Sequence, residues 1–234
     1  MVTTYKHLHI KAVGGAAGDM ILAALLDVGA RRDAIERAFA GLGIPGLQLQ
    51  VDRMQTHDVE GYHVRSIAPK THHHHHSRDD IRKIIERCDC TENAKKWATT
   101  VFDILIRAEA TVHGTVPDSV HLHEVGELDS VMDVLGIAVA YDSLGTPTVS
   151  VEALPSGSGK VQCAHGWLEC PVPAVIEIVK ESSLCLEPAP ILGETVTPTG
   201  AAVLAALCST KTTPPDRQKA NALGMGIGTR VFDD

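Results

Sequence analysis

Five consecutive histidines, His72, His73, His74, His75 and His76, stand inside a chain of 234 residues. Neutral imidazoles bind nickel, zinc and copper, and adjacent histidines on a flexible loop can rearrange to supply several ligands. An affinity tag is the plain alternative, but tags usually sit at a terminus, and this run lies between Lys70 and a helical pattern. A loop of this kind suits the loading or storage of a metal, because catalysis needs fixed geometry.

A second group is His121, Leu122, His123 and Glu124, followed closely by Glu127, Asp129 and Asp133. On an extended strand His121 and His123 share a face, a common arrangement for a first-row metal. Nearby carboxylates can complete the shell or orient the rings. Asp129 and Asp133 are four apart and could line one helix face, with Asp129 as a metal ligand. They could equally be a helix N-cap and a charge favoured by the helix dipole.

Two weaker signals follow. Cys163 and His165 are two apart, a spacing open to ligation or nucleophilic work, but no orienting partner is evident. Gly14, Gly15 and Gly18 lead into Asp19 and a helix, and such a loop can cradle a phosphate through backbone N–H groups. It lacks the Gly-Lys-Ser/Thr of a P-loop, so a tight turn is the other reading. Cys88 and Cys90 could bind a soft metal or be coincidental; no CxxC pair occurs among the six cysteines.

The elements around these residues follow from periodicity. Alternation at 7–10 predicts a strand, then a glycine loop, then a helix over 20–26 with Asp19 as N-cap and Gly29 as its stop. A second helix runs from Asp33 to Phe39. Residues 47–51 and 62–67 alternate as antiparallel strands. The polar stretch 69–77 reads as a mobile surface loop. Helical patterns fill 79–112, with Thr91 starting the second of them. Residues 120–123 look like a short strand. A helix over 129–144 is apolar nearly all round, hence buried. A core strand at 149–151, a helix from Pro171 to Lys180 and one over 201–207 complete the pattern. The fold class is mixed α/β (α+β): a sheet flanked by helices, with the His-rich loop outside. The expected domains are 1–209, which handles the metal, and 210–234, a polar linker with a Gly-rich segment.

Composition narrows the partners. A net charge of −8 gains little from a phosphate backbone, which argues against nucleic acid. No apolar run reaches the ~20 residues of a membrane span, and the first residues lack a signal-peptide pattern, so a cytoplasmic protein is expected.

The motifs GDMILAALLDVG, THHHHHSRDDI, VHGT, HLHEVGELDSVMDVLG, SGSGKVQCAHGWLECPVPA, ETVTPTGAA and GMGIGTR occur in this order. Together they resemble the nickel-insertion protein family (LarC), over the family's N-terminal part. That resemblance implies CTP-dependent insertion of Ni2+ into pyridinium-3,5-bisthiocarboxylic acid mononucleotide, assisted by Mg2+ or Mn2+. The product would be the nickel-pincer cofactor of lactate racemase, and the enzyme a nickel chelatase of the lyase class. By matching position, His121, His123, Glu124 and His165 would form the insertion site. The run at 72–76 would gather nickel, and Gly15, Gly18 and Asp19 would contact the nucleotide. The expected partners are the substrate, CTP, a C-terminal half absent beyond Asp234 and further copies of the chain. The family's opening stretch Asp-Ala-Phe-Ser-Gly-x-Ser-Gly-Asp-Met departs here at Lys11, Gly14 and Ala17, and Lys11 could offer a cation to a phosphate. The competing classes are a non-catalytic nickel metallochaperone or store, and a metal hydrolase using His121, His123 and the acids.

Overall fold

The computed structural model describes residues 4–56, 58–67, 76–120, 122, 124–163, 165–208 and 220–230, Glu124 by its backbone only. Its elements are β1 (His7–Ile10), α1 (Gly18–Asp27), α2 (Arg32–Gly41), β2 (Gln48–Thr56), β3 (Val59–Ile67), α3 (Arg78–Arg87) and α4 (Glu92–Val112). A 3-10 turn (Glu124–Gly126) then leads to α5 (Leu128–Ser143), β4 (Thr148–Val151), β5 (Leu154–Pro155), β6 (Lys160–Cys163), β7 (Gly166–Glu169), α6 (Pro173–Lys180), β8 (Leu186–Glu187) and α7 (Pro198–Leu207). The mixed α/β class is borne out. In place of one sheet, the described strands form four two-stranded ladders: β1–β4 and β5–β8 parallel, β2–β3 and β6–β7 antiparallel.

Helix α5 is the axis of the core. Val131, Met132, Val134, Leu135, Ile137 and Val139 are all buried, and α1, α2 and α4 pack around them. Burial of each such side chain is worth roughly 1.5–3 kcal/mol. With so few aromatics, the core rests on aliphatic packing, plus one edge-on pair of Trp97 and Tyr141 with centroids 5.1 Å apart.

Local chemistry sets the helix ends. Ser77 makes a capping box with Asp80 at α3, and Thr91 and Thr197 cap α4 and α7 through their hydroxyls. Gly29, at φ +111°, ends the first helix as its spacing predicts. Two expected caps are corrected. α1 begins at Gly18 behind Ala17, and α5 begins at Leu128 behind Glu127, so Asp19 and Asp129 lie within first turns. Each of these aspartates accepts instead from the next backbone N–H, Met20 at 2.8 Å and Ser130 at 2.7 Å. Of the strand expected at 120–123, the described residues Val120 and Leu122 belong to no strand, and His121 and His123 lie outside the described residues. The 209/210 domain boundary, the polar stretch 210–219 and most of the 69–77 loop lie outside the described residues. The Gly-rich segment packs against β3 and α1: Tyr62 N donates to Met225 O at 2.9 Å, and Ile227 N to Tyr62 O at 2.8 Å. Among the described residues no helix is long and apolar enough to cross a membrane.

Candidate functional site

The N-terminal end of α5 is where the sequence motifs meet. The 3-10 turn ends at Gly126, whose carbonyl accepts two hydrogen bonds from His76. One comes from the backbone N–H at 3.0 Å and one from the ring Nδ1 at 2.9 Å. A carbonyl can only accept, so Nδ1 carries the proton. In the neutral ring Nε2 then keeps its lone pair, the form in which imidazole binds a metal. Gly126 allows this approach: a Cβ there would lie 2.9 Å from Leu122 Cβ and 3.0 Å from His76 O. The last histidine of the run is thus docked onto the HLHEVG segment. His72, His73, His74, His75, His121, His123 and the Glu124 side chain lie outside the described residues.

A second group near the start of α5 is a cluster of carboxylates. Asp19 comes from α1, Asp129 and Asp133 from the start of α5, and Ser66 from β3. Ser66 Oγ donates to Asp133 Oδ1 at 3.0 Å. Gly18 makes the space, since a Cβ there would lie 3.0 Å from both Asp133 Cβ and Oδ2. Burial, then the charge of Asp19, pushes the Asp133 carboxyl up to about 8, against the lowering effect of the Ser66 bond. Burial also raises Asp19, opposed by the Met20 N–H and by buried His63. His63 Nε2 is 3.2 Å from Thr229 Oγ1, which ties the Gly-rich segment to the pocket. A carboxyl held partly protonated near neutrality can both take and give a proton. Asp129 itself is exposed.

A third group lies at the β6–β7 turn. His165 is exposed, and its ring stands 4.9 Å from that of His113, tilted by 43°. His113 follows α4 and sits 3.5 Å from Glu109. The motifs VHGT and CAHG therefore meet in space. The Cys163 thiol donates to the Gly166 carbonyl at 3.3 Å.

The glycine loop serves close packing. Gly15 has φ +124°, and a Cβ there would fall 2.0 Å from Thr195 O. Ala16 N donates to Thr195 O at 2.8 Å, and Thr197 N to Ala16 O at 3.0 Å. The loop is thereby stitched to the start of α7, and the Ala16 N–H is already engaged. Lys11 is exposed.

The sequence pattern marked Asp19, Asp129 and Asp133 near helix starts, but the caps expected at Asp19 and Asp129 fall at Ala17 and Glu127. It missed His63, Ser66, His113 and Thr229. Only the VHGT match carried a signal for any of them. Among the described residues no group of three or more His, Cys, Asp or Glu side chains is arranged to hold a metal ion. Mg2+ or Mn2+ needs several convergent oxygen donors, and the described carboxylates do not provide such a set.

The profile of the nickel insertion protein family matches residues 8–234. A Myxococcus xanthus protein named for nickel insertion is 41% identical over 97% of this chain and 57% of its own length. The pyridinium-3,5-bisthiocarboxylic acid mononucleotide nickel insertion proteins of Alkaliphilus metalliredigens and Acetivibrio thermocellus are 34% and 35% identical. The matches cover 96% and 95% of this chain, and 57% and 56% of those proteins. The chain thus spans little more than half the length of these relatives. No solved structure matches.

Proposed function

This chain belongs to the nickel insertion protein family, and we propose that it receives Ni2+ and inserts it into pyridinium-3,5-bisthiocarboxylic acid mononucleotide. The observation that carries the reading is the docking of His76 on Gly126, which joins the histidine run to HLHEVG. Nickel is the cargo. The run at 72–76 collects it, His76 Nε2 passes it on, and His121, His123, Glu124 and His165 hold it while its ligands exchange. Imidazole nitrogen suits this step because nickel binds it well yet can trade it for sulfur.

In the reaction a ring C–H bond breaks, a carbon–nickel bond forms, and two thiocarboxylate sulfurs take up nickel. One ring proton must leave. Asp133, in α5 and pushed up to about 8, is mostly protonated at neutral pH and can take that proton only in its ionised form, so the step is expected to speed up as pH rises toward 8. The same proposal assigns contact with the nucleotide to Gly15, Gly18 and Asp19. CTP hydrolysis, Mg2+ or Mn2+, a C-terminal half and a homo-oligomer belong to the same proposal, as does delivery of the product to lactate racemase.

The test is an insertion assay with Ni2+, CTP, Mg2+ or Mn2+ and the pyridinium substrate, with the C-terminal half of a relative supplied. Mass spectrometry should find the substrate carrying nickel and short of its ring proton. If no product forms while stoichiometric nickel binding persists, the insertase reading fails and the storage reading stands.

A further inference from the structure

The one parallel pair that includes β1 carries a row of polar side chains that the proposed function does not use. His7 and His9 alternate along β1, so both rings lie on one face, opposite Thr148 and Ser150 of β4. His7 Nδ1 is 2.8 Å from Thr148 Oγ1, and His7 Nε2 is 2.8 Å from Ser150 Oγ. His9 Nδ1 is also 2.8 Å from Ser150 Oγ, and His9 Nε2 is 3.1 Å from Glu152 Oε1. Thr148 Oγ1 donates to Lys6 O at 3.1 Å.

These bonds can be counted proton by proton. Thr148 has a single hydroxyl hydrogen, and the Lys6 carbonyl takes it. His7 Nδ1 must then donate to Thr148, so a neutral His7 needs a proton from Ser150 at its Nε2. At the other end the Glu152 carboxylate accepts, so His9 Nε2 must donate. A neutral His9 then also needs a proton from Ser150, at its Nδ1. Ser150 has one proton to give. The row cannot close with two neutral imidazoles and an ionised Glu152; it closes with one proton more.

We propose that the row holds this extra proton as an imidazolium at His9, paired with Glu152, and that it forms a pH-sensitive clasp between β1 and β4. Imidazole is a stronger base than carboxylate, which puts the proton on the ring rather than on Glu152. The adjacent carboxylate chooses His9 over His7. In agreement, burial and then the charge of His9 hold His7 below the usual imidazole range. Helix α7, packed on β4, brings no titratable side chain to the row. Lys6 and Lys11 flank β1 and are exposed.

Loss of the proton leaves Ser150 able to donate to one ring only, so one cross-strand bond opens. β1 runs directly into the 11–17 loop that enters α1, and the clasp therefore tunes how firmly that loop is held. The sign follows from linkage. A histidine whose folded pKa is raised stabilises fully below the unfolded value, about 6.5. That contribution is lost as pH rises through the folded value.

The experiment is an NMR titration of the His7 and His9 ring nitrogens in the whole chain, beside Glu152→Gln and Ser150→Ala. At pH 7 His9 should be protonated on both nitrogens, and His7 on Nδ1 alone. Glu152→Gln should lower the His9 midpoint by about 1–3 units. Ser150→Ala should flatten the fall in thermal midpoint between pH 6 and 9. A neutral His9 at pH 7, or a midpoint unmoved by Glu152→Gln, overturns the proposal. The wild-type titration decides even if a variant misfolds.

Discussion

Two regions near the start of α5 differ in kind. One is a carboxylate pocket of Asp19 and Asp133, held by Ser66 and bordered by buried His63. The other is a nitrogen region, where His76 is pinned through Nδ1 and offers Nε2. Nitrogen donors hold a first-row metal that must later exchange ligands, whereas a crowded carboxylate pocket shifts proton affinity. Under the proposed function, one helix end would place an imidazole that can hand over nickel near a carboxyl of raised proton affinity.

The contrast can be broken in several ways. The largest effect is expected for His121→Ala with His123→Ala. Nickel titration should show loss of the tight stoichiometric site while the 72–76 run still binds weakly, and deletion of 72–76 should slow loading without abolishing that site. The reverse pattern would make the run the binding site and remove the insertion role from HLHE.

Next is packing beneath the pocket. Gly200→Ala would place a Cβ 2.2 Å from Ala16 O, which must move. A stability loss of about 1–3 kcal/mol in denaturant unfolding is expected. An unchanged midpoint would show that the loop is not stitched to α7 in solution.

The proton-trading side has a pH signature. With Asp133 raised to about 8 when folded and about 3.9 when unfolded, its contribution is full below the unfolded value and is lost as pH rises through the folded one. The difference between wild type and Asp133→Asn should change by up to about 1.4 kcal/mol per pH unit across that window. A flat difference would mean that the carboxyl is ordinary. The smallest effect is His76→Ala, which removes one side-chain hydrogen bond to Gly126 and should cost about 1 kcal/mol. Hydrogen exchange at the start of α3 should rise, while Asp133 keeps its titration.

Much of the fold was legible because it rests on local rules. The helix over 129–144, the antiparallel strands at 47–51 and 62–67, the Thr91 start and the Gly29 stop each depend on periodicity or on a backbone preference within a few residues. The caps expected at Asp19 and Asp129 were each misplaced by two positions, because Ala17 and Glu127 take the cap positions without any side-chain hydrogen bond. In the site, residue types exposed the histidine groups and the helix-start aspartates. His63 and Ser66 look like any polar strand residues until β3 packs against α1 and α5.

By itself, the sequence determined the α/β class, the family and the clustering of imidazole side chains in the His run and HLHE motif. These are matters of residue type, spacing and local geometry. Tertiary structure alone decided that His76 meets Gly126, that His113 faces His165, and that Asp133 sits behind Gly18 beside Asp19. It also decided that Ser150 must serve two histidines. Such pairings join residues tens of positions apart or more, and a proton's affinity depends on burial and on nearby charge that exist only after the chain has packed.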